Sequence, residues 1–441
     1  MMSPAPQRSM GGRAFARVPS GVRGARLACL LSCVALVSGM TLAQPAAADE
    51  SGPHGRFRPA ALDGWSHDRQ SEAFKAFLRS CAAMEEMPPA PGGLGLVDPT
   101  ALTAVCRAAS ALPRDQGDAA ARRFFERHFE AVALGPREAG FLTGYFEPEI
   151  EGSRHPTSRF SVPLYGLPPD LVSLDGTNRP AGLDISLTAA RRAPDGEVSP
   201  YPDRAAIMAG ALAGRGLELA YVASPVEAFF AQVQGSVRIR LPDGDVLRLG
   251  YAGRNGYPYT AIGRILLARG AISRDEMTAD RLKAWLESHP AEAPAILAAN
   301  RSFVFFRVIE GMEPGLGPLG TLEVPLTPGR SLAVDASLHT LGMPVWIDAH
   351  TPSTPVNGIP GLGEVHRLVV AQDTGSAIKG PERGDLYIGS GEAAGVIAGR
   401  LRHAMTMTLL IPREQTVHPA APPRSERAPI PAMDVSVETQ R

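Results

Sequence analysis

From Phe303 onward, glycine and proline cut the chain into short apolar runs, and that spacing leaves few architectures open. Residues 322–326, 332–335, 345–348, 368–371, 386–388 and 408–411 are too short for helices and are bounded by turn residues. We read them as six short strands, with one short helix near 395–401. Short strands at regular spacing favour closure into a small barrel, which removes exposed sheet edges.

Upstream the pattern differs. Residues 71–78 begin a helix with Ser71 as its capping candidate. Residues 119–132 form a second helix, with Phe124, Phe125, Phe129 and Val132 on one face. From Phe141 the chain turns to short strands again, at 160–165 and 217–222. The alternating runs 237–241 and 246–249 flank Pro242-Asp243-Gly244-Asp245 as a hairpin with one solvated face. Helical stretches follow at 262–267 and 281–286.

Residues 1–48 read as an export signal. Arg8, Arg13, Arg17, Arg23 and Arg26 precede an apolar stretch, and Ala46-Ala47-Ala48 offers a cleavage site. Leu30-Leu31-Ser32-Cys33 loosely resembles a lipoprotein box, but little hydrophobic sequence precedes Cys33, so cleavage near Ala48 is favoured over a lipid anchor. Losing those five arginines takes the formal charge from −1 to −6, which disfavours a nucleic-acid partner. About 390 residues remain, enough for two domains. Of the four cysteines only Cys81 and Cys106 then survive. In an oxidising compartment they most simply form one disulfide. Residues 49–62 and 414–441 are polar and proline-rich and read as disordered ends.

Two aspartates bracket the glycine-punctuated loop Asp373-Thr374-Gly375-Ser376-Ala377-Ile378-Lys379-Gly380, which runs on to Asp385. Acidic side chains at strand mouths suit glycosidic-bond chemistry, and Asp beside Gly equally suits turns and caps. Lys379 is one of three lysines in the chain. Gly315-Leu316-Gly317-Pro318-Leu319-Gly320 matches a dinucleotide fingerprint on paper, but no helix follows it to meet a pyrophosphate. There is no Walker loop, serine-hydrolase elbow or zinc-type spacing, so no nucleotide, cofactor or metal is expected. Gln234-Gly235-Ser236 and Gly250-Tyr251-Ala252-Gly253-Arg254-Asn255-Gly256-Tyr257 set amide, hydroxyl and aromatic groups beside glycines. That suits a sugar, or simply a hairpin loop.

Taken together and in order, several segments resemble the membrane-bound lytic murein transglycosylase A family. They are Thr143-Gly144-Tyr145-Phe146-Glu147-Pro148, the Gln234 and Tyr251 segments, Ala299-Asn300-Arg301-Ser302-Phe303-Val304-Phe305-Phe306, Asp335-Ala336-Ser337-Leu338, and the aspartate loop. They span roughly residues 60–415. The resemblance implies a mainly β fold with flanking helices: a double-psi β-barrel domain (57–147 and 313–415) interrupted by a β-rich glycan-binding domain (148–312), with a glycan groove between them and a tail over 416–441. It places Asp385 as the catalytic acid and Asp373 as a second groove aspartate. Thr143 is a nearby hydroxyl, and Tyr145, Gln234, Gly235, Ser236, Tyr251 and Asn255 line the groove. Lys379 is grouped with these, in contact with Asp373 or structural. Ile388 and Met407-Thr408 depart from aromatics common at those places in the family, and Ala206 from an acidic residue.

The implied reaction cleaves the β-1,4 bond between N-acetylmuramic acid and N-acetylglucosamine in peptidoglycan without water, leaving 1,6-anhydromuramic ends. The implied setting is periplasmic, with outer-membrane association, and a monomer acting on glycan strands. Two alternatives stand beside it: an inverting hydrolase using Asp385 and Asp373 as an acid–base pair, and a non-catalytic, expansin-like wall-binding protein.

Overall fold

The structure is a computed structural model and describes residues 55–413 apart from 136–138, 176 and 314. The expected export signal (1–48) and C-terminal tail (416–441) lie outside the described residues.

A ring of six strands organises the chain. In sequence order they are β1 (Gly140–Glu147), β2 (Ser331–Val334), β3 (Pro344–His350), β4 (Glu364–Thr374), β5 (Arg383–Ser390) and β6 (Arg402–Pro412). Their lateral order is β6-β3-β4-β2-β5-β1, and a second pairing of β6 with β1 closes the ring. The β2–β4 and β5–β1 pairs are parallel, and the other four contacts are antiparallel. Closure satisfies every strand's backbone groups laterally, which allows such short strands to persist.

One expected strand is absent. Residues 322–326 form a turn, in which Glu323 adopts a left-handed φ of 56° and Gly320 N donates to Val324 O. The sixth place in the ring belongs to β1, nearly two hundred residues upstream of β2.

Three helices cover one side: α1 (Gln70–Glu86), α2 (Pro99–Ser110) and α3 (Asp118–His128). Ser71 does not cap α1. The N-cap is Arg69 without a side-chain bond, and Ser71 Oγ instead donates to Asp118 Oδ1 at 2.5 Å, tying α1 to α3. The expected helix over 119–132 stops at His128. Phe129 and Val132 lie in a following strand, Phe129–Ala133, which extends the sheet beyond β6. Phe74, Phe77, Phe124, Phe125 and Phe129 nevertheless meet in one buried aromatic cluster. Cys81 on α1 and Cys106 on α2 are bonded as a disulfide. Gln372 of β4, fully buried, donates to Ala76 O and Ser80 Oγ and so fixes α1 to the ring.

Between β1 and β2 lies a separate six-stranded sheet, ordered Val304–Val308, Val246–Arg254, Ser236–Arg240, Glu149–Ser153, Glu218–Val222, Val162–Tyr165. Its hairpin pairs Ser236 with Gly250 through to Arg240 with Val246. Glu147, 1% exposed at the end of β1, binds both Arg238 and Arg248 of this sheet. The same two arginines donate to Leu316 O on the returning strand of chain. Outgoing and returning segments are thus locked at one point by a buried, charge-assisted cluster.

Candidate active site

The site is built on one transverse row of the ring. Ala333 on β2 is paired with Asp385 on β5 and with Asp373 on β4, and Asp385 is paired in turn with Thr143 on β1. A bulge makes this alignment. Leu332 opposes Ala371 while Ala333 opposes Asp373, so Gln372 is the extra residue, turned into the core. A bulge beside a site commonly re-aims a side chain in this way. The two aspartates stand two strand spacings apart, roughly 10 Å between backbones.

Their surroundings differ. Thr143 Oγ1 donates to Asp385 Oδ1 at 2.5 Å, and the Arg383 guanidinium donates to that same Thr143 oxygen at 2.7 Å. Arg383 is itself anchored on Phe141 O and Gly384 O, with the Phe141 ring beneath it. Asp385 Oδ2 takes no protein partner among the described residues and is not sealed from solvent. Burial pushes the Asp385 carboxyl up to about 6. The Thr143 bond and the Arg383 charge oppose that rise, and the Asp373 charge adds to it.

Asp373 is densely hydrogen-bonded. Its Oδ1 accepts from Thr321 N, Thr321 Oγ1 and Thr374 N, each at 2.9 Å, and its Oδ2 accepts from Tyr145 at 2.8 Å. Three donors crowd onto Oδ1, while Oδ2 keeps one lone pair beyond the Tyr145 bond. Burial raises its affinity for a proton even against these bonds. Tyr145 in turn holds its proton well above the usual phenol range, through burial first and the Asp373 charge second. Its ring lies 5.4 Å from that of Tyr387.

Thr321 was not legible as a site residue. The glycine-rich run before it explains its position. A Cβ on Gly317 would lie 2.4 Å from Leu326 O and 2.8 Å from the Tyr387 ring, and one on Gly320 would lie 2.6 Å from Gln372 O. Glycine lets this loop lie flat on the ring and deliver Thr321 to Asp373.

The other expected groove residues separate into two groups. Tyr251 is 48% exposed and faces outward. Gln234 is half-buried, and its Oε1 accepts from Phe146 N at 3.0 Å. Gly235 closes the helix Pro225–Gln234 in a left-handed conformation, and Ser236 is buried. One expectation needs correction. Asn255 lines no groove surface: it is wholly buried, donating to Pro202 O and Arg301 O and accepting from Phe303 N. Lys379, expected to contact Asp373 or to be structural, pairs with Asp335 instead of Asp373. Its Nζ binds Asp335 Oδ1 at 3.0 Å, beside Ser337 Oγ, while Gly380 N donates to Asp335 Oδ2. Burial pushes Asp335 up, but the Gly380, Ser337 and Lys379 donors together outweigh it and hold the carboxyl well below its usual range. This cluster pins the loop between the two aspartates.

Comparison with known proteins decides the family. Residues 141–307 match the description "MltA specific insert domain" and residues 330–411 the description "3D domain". The membrane-bound lytic murein transglycosylase A of Vibrio cholerae is 34% identical over 290 residues, covering 65% of this chain and 70% of that protein. This chain belongs to the membrane-bound lytic murein transglycosylase A family. A crystal structure of a membrane-bound lytic murein transglycosylase from Agrobacterium tumefaciens superposes with a TM-score of 0.74 at 36% identity, covering 81% of this chain and 97% of that one. A second family structure, Escherichia coli MltA with bound chitohexaose, gives a TM-score of 0.58 at 26% identity over 82% of this chain and 94% of that one. The mainly β architecture is thus that of the family.

Proposed function

We propose that this chain is a peptidoglycan lytic transglycosylase in which Asp385 acts first as general acid and then as general base. The observation that carries this reading is the asymmetry of the two carboxyls. Asp385 keeps one oxygen free of protein donors and holds its proton up to about pH 6, whereas Asp373 takes donors on both oxygens, three on Oδ1 and one on Oδ2.

In the first step Asp385 Oδ2–H gives its proton to the glycosidic oxygen as the bond from the muramic anomeric carbon to that oxygen breaks. The N-acetylglucosamine then leaves with a free 4-hydroxyl. In the second step the muramic C6 oxygen bonds to the anomeric carbon, and its proton goes to the Asp385 carboxylate. No water is consumed and the acid is regenerated. Arg383 occupies one lone pair of Thr143, which favours donation of the Thr143 hydrogen to Oδ1 and leaves the proton on Oδ2. Asp373 contributes a fixed negative charge and orients Tyr145.

A water-activating base is needed for inversion. Both oxygens of Asp373 are already bound by protein donors, with Tyr145 on Oδ2, and this engagement disfavours it as the base for that water. The same proposal takes 57–147 with 313–415 as the catalytic domain and 148–312 as its inserted glycan-binding partner, and the partition of strands between the two sheets supports it. Glycan strands are the substrate, with Tyr251, Tyr145 and half-buried Gln234 along their path. The bound chitohexaose of the E. coli relative supports a groove for such a polymer. We place the enzyme outside the cytoplasm as a monomer, at the outer membrane.

The test is mass spectrometry of murein digested by wild type and by Asp385→Asn. Anhydromuramic ends from wild type and none from the variant are expected. Reducing ends from wild type would overturn the transglycosylase reading.

A further inference from the structure

A cleft of about 960 Å³ opens beside the loop that joins the two aspartates, lined on that side by Ser376 and Ala377 and opposite by Arg254, Tyr259, Arg264 and Arg269. No acidic side chain lines it. Three guanidinium groups are therefore gathered in one cleft, although the chain after residue 48 carries a formal charge of −6.

Little in the protein neutralises them. Arg269 reaches Glu292 at 3.6 Å, an exposed pair that salt would screen. Arg264 and Arg254 pair with no carboxylate among the described residues, and Arg254 makes only a 3.4 Å bond to Thr188 Oγ1. The wall that presents them is rigid. Buried Asn255 clamps it through three backbone partners, and Thr188 N donates to Gly256 O. Gly256 sits at a φ of 90°, where a Cβ would lie 2.3 Å from Ala189 O, so only glycine lets the two segments meet. Thr260 N is tied to Asn300 Oδ1 at 3.0 Å. The cleft is thus formed before any ligand arrives.

An unsubstituted sugar polymer is neutral and gives such a cluster nothing to pair with. The anionic groups of a murein strand are carboxylates, on its peptide side chains and, where the peptide is missing, on the lactyl ether of muramic acid. A planar guanidinium fork is the side chain best matched to a carboxylate. We propose that this cleft is a carboxylate-binding subsite for the acidic peptide side chain of the strand being cleaved. It rests on the lytic transglycosylase reading and adds to it: the enzyme distinguishes peptide-bearing from bare glycan through Arg254 and Arg264.

The test measures binding by calorimetry in the full chain carrying Asp385→Asn, with and without the pair Arg254→Gln and Arg264→Gln. Three ligands are compared: a soluble peptide-bearing murein fragment, the same fragment stripped of peptide so that only lactyl carboxylates remain, and chitohexaose, which has none. The double substitution should weaken the peptide-bearing fragment on the order of tenfold, as expected for two part-exposed ion pairs, and leave chitohexaose unchanged. Equal weakening on the stripped fragment would keep the arginine–carboxylate subsite and assign it to the lactyl group. No weakening on any ligand, equal weakening on chitohexaose, or parent protein that binds peptide-bearing fragment no more tightly than chitohexaose would each overturn the proposal. The underlying reading is tested separately, by whether wild type releases anhydro ends.

Discussion

Asp385 and Asp373 are registered against the same residue, Ala333, one from an antiparallel neighbour and one from a parallel neighbour. That shared register places two carboxyls on one row of the ring while giving them separate hydrogen-bond partners. One carboxyl is left with a single protein donor, and the other is bound by four.

The raised Asp385 pKa has a stability consequence with a definite sign. Below about pH 4 the carboxyl is protonated in folded and unfolded chains alike and costs nothing. Between about 4 and 6 the unfolded chain ionises while the folded one keeps its proton, so stability falls as pH rises and levels off above 6. The cost at pH 7 is roughly 3 kcal/mol. Asp385→Asn should therefore stabilise the protein at pH 7 by up to that amount and leave it unchanged at pH 3, as read by urea denaturation at both values.

Thr143→Val should lower kcat by roughly tenfold to a hundredfold, the worth of a hydrogen bond to a charged group. Losing that bond removes an influence that lowers the Asp385 pKa, so the alkaline limb of the pH–rate profile, where the acid loses its proton, should move to higher pH. Thr143→Ser should restore both. A fall in activity with an unmoved limb would mean that the threonine only fills space.

Asp373→Asn should move the same limb the other way. The Asp373 charge raises the Asp385 pKa, and removing it lets Asp385 ionise at lower pH. The variant should lose activity at pH 6 more than at pH 5. Opposite shifts in these two variants, measured on one substrate, separate the hydrogen bond from the charge.

Glu147→Gln removes the carboxylate that pairs with buried Arg248 and half-buried Arg238. Removing one member of such a cluster costs about 3–5 kcal/mol. Denaturant unfolding should show the full loss. Activity per folded molecule well below the melting range should stay within a few-fold of wild type, because Glu147 does not touch Asp385.

Much of the ring was legible because its strands are short apolar runs bounded by turns, as in 345–348 and 408–411. The exceptions have physical causes. Leu322-Glu323-Val324-Pro325-Leu326 alternates like a strand, but Gly320 and the left-handed Glu323 fold it back on itself. The run Phe129–Ala133 continues the helical spacing of Phe124 and Phe125, yet partners on β6 draw it into the sheet.

At the site, Asp385, Asp373, Thr143 and Tyr145 were found through an ordered set of segments, and the structure gives each a partner in the same cluster. Asn255 was misread, and Lys379 left between two readings, because a polar side chain beside glycine serves a ligand and a backbone clamp equally well. Only distant partners, Phe303 for one and Asp335 for the other, tell the two apart. Thr321 and Arg383 left no periodic trace, since each matters through a single hydroxyl or guanidinium contact.

The closing strand of the ring is also the last part of the proposed site to be made. Thr143 and Asp385 are 242 residues apart, and the strand that seals their ring, β6, comes after both. A chain emerging amino-terminus first has its threonine, its tyrosine and the whole six-stranded insert long before it has an acid. On the proposed mechanism, no leading fragment that ends before β6 holds Asp385 in a closed ring, so the order of synthesis would keep the activity silent until the last strand is in hand.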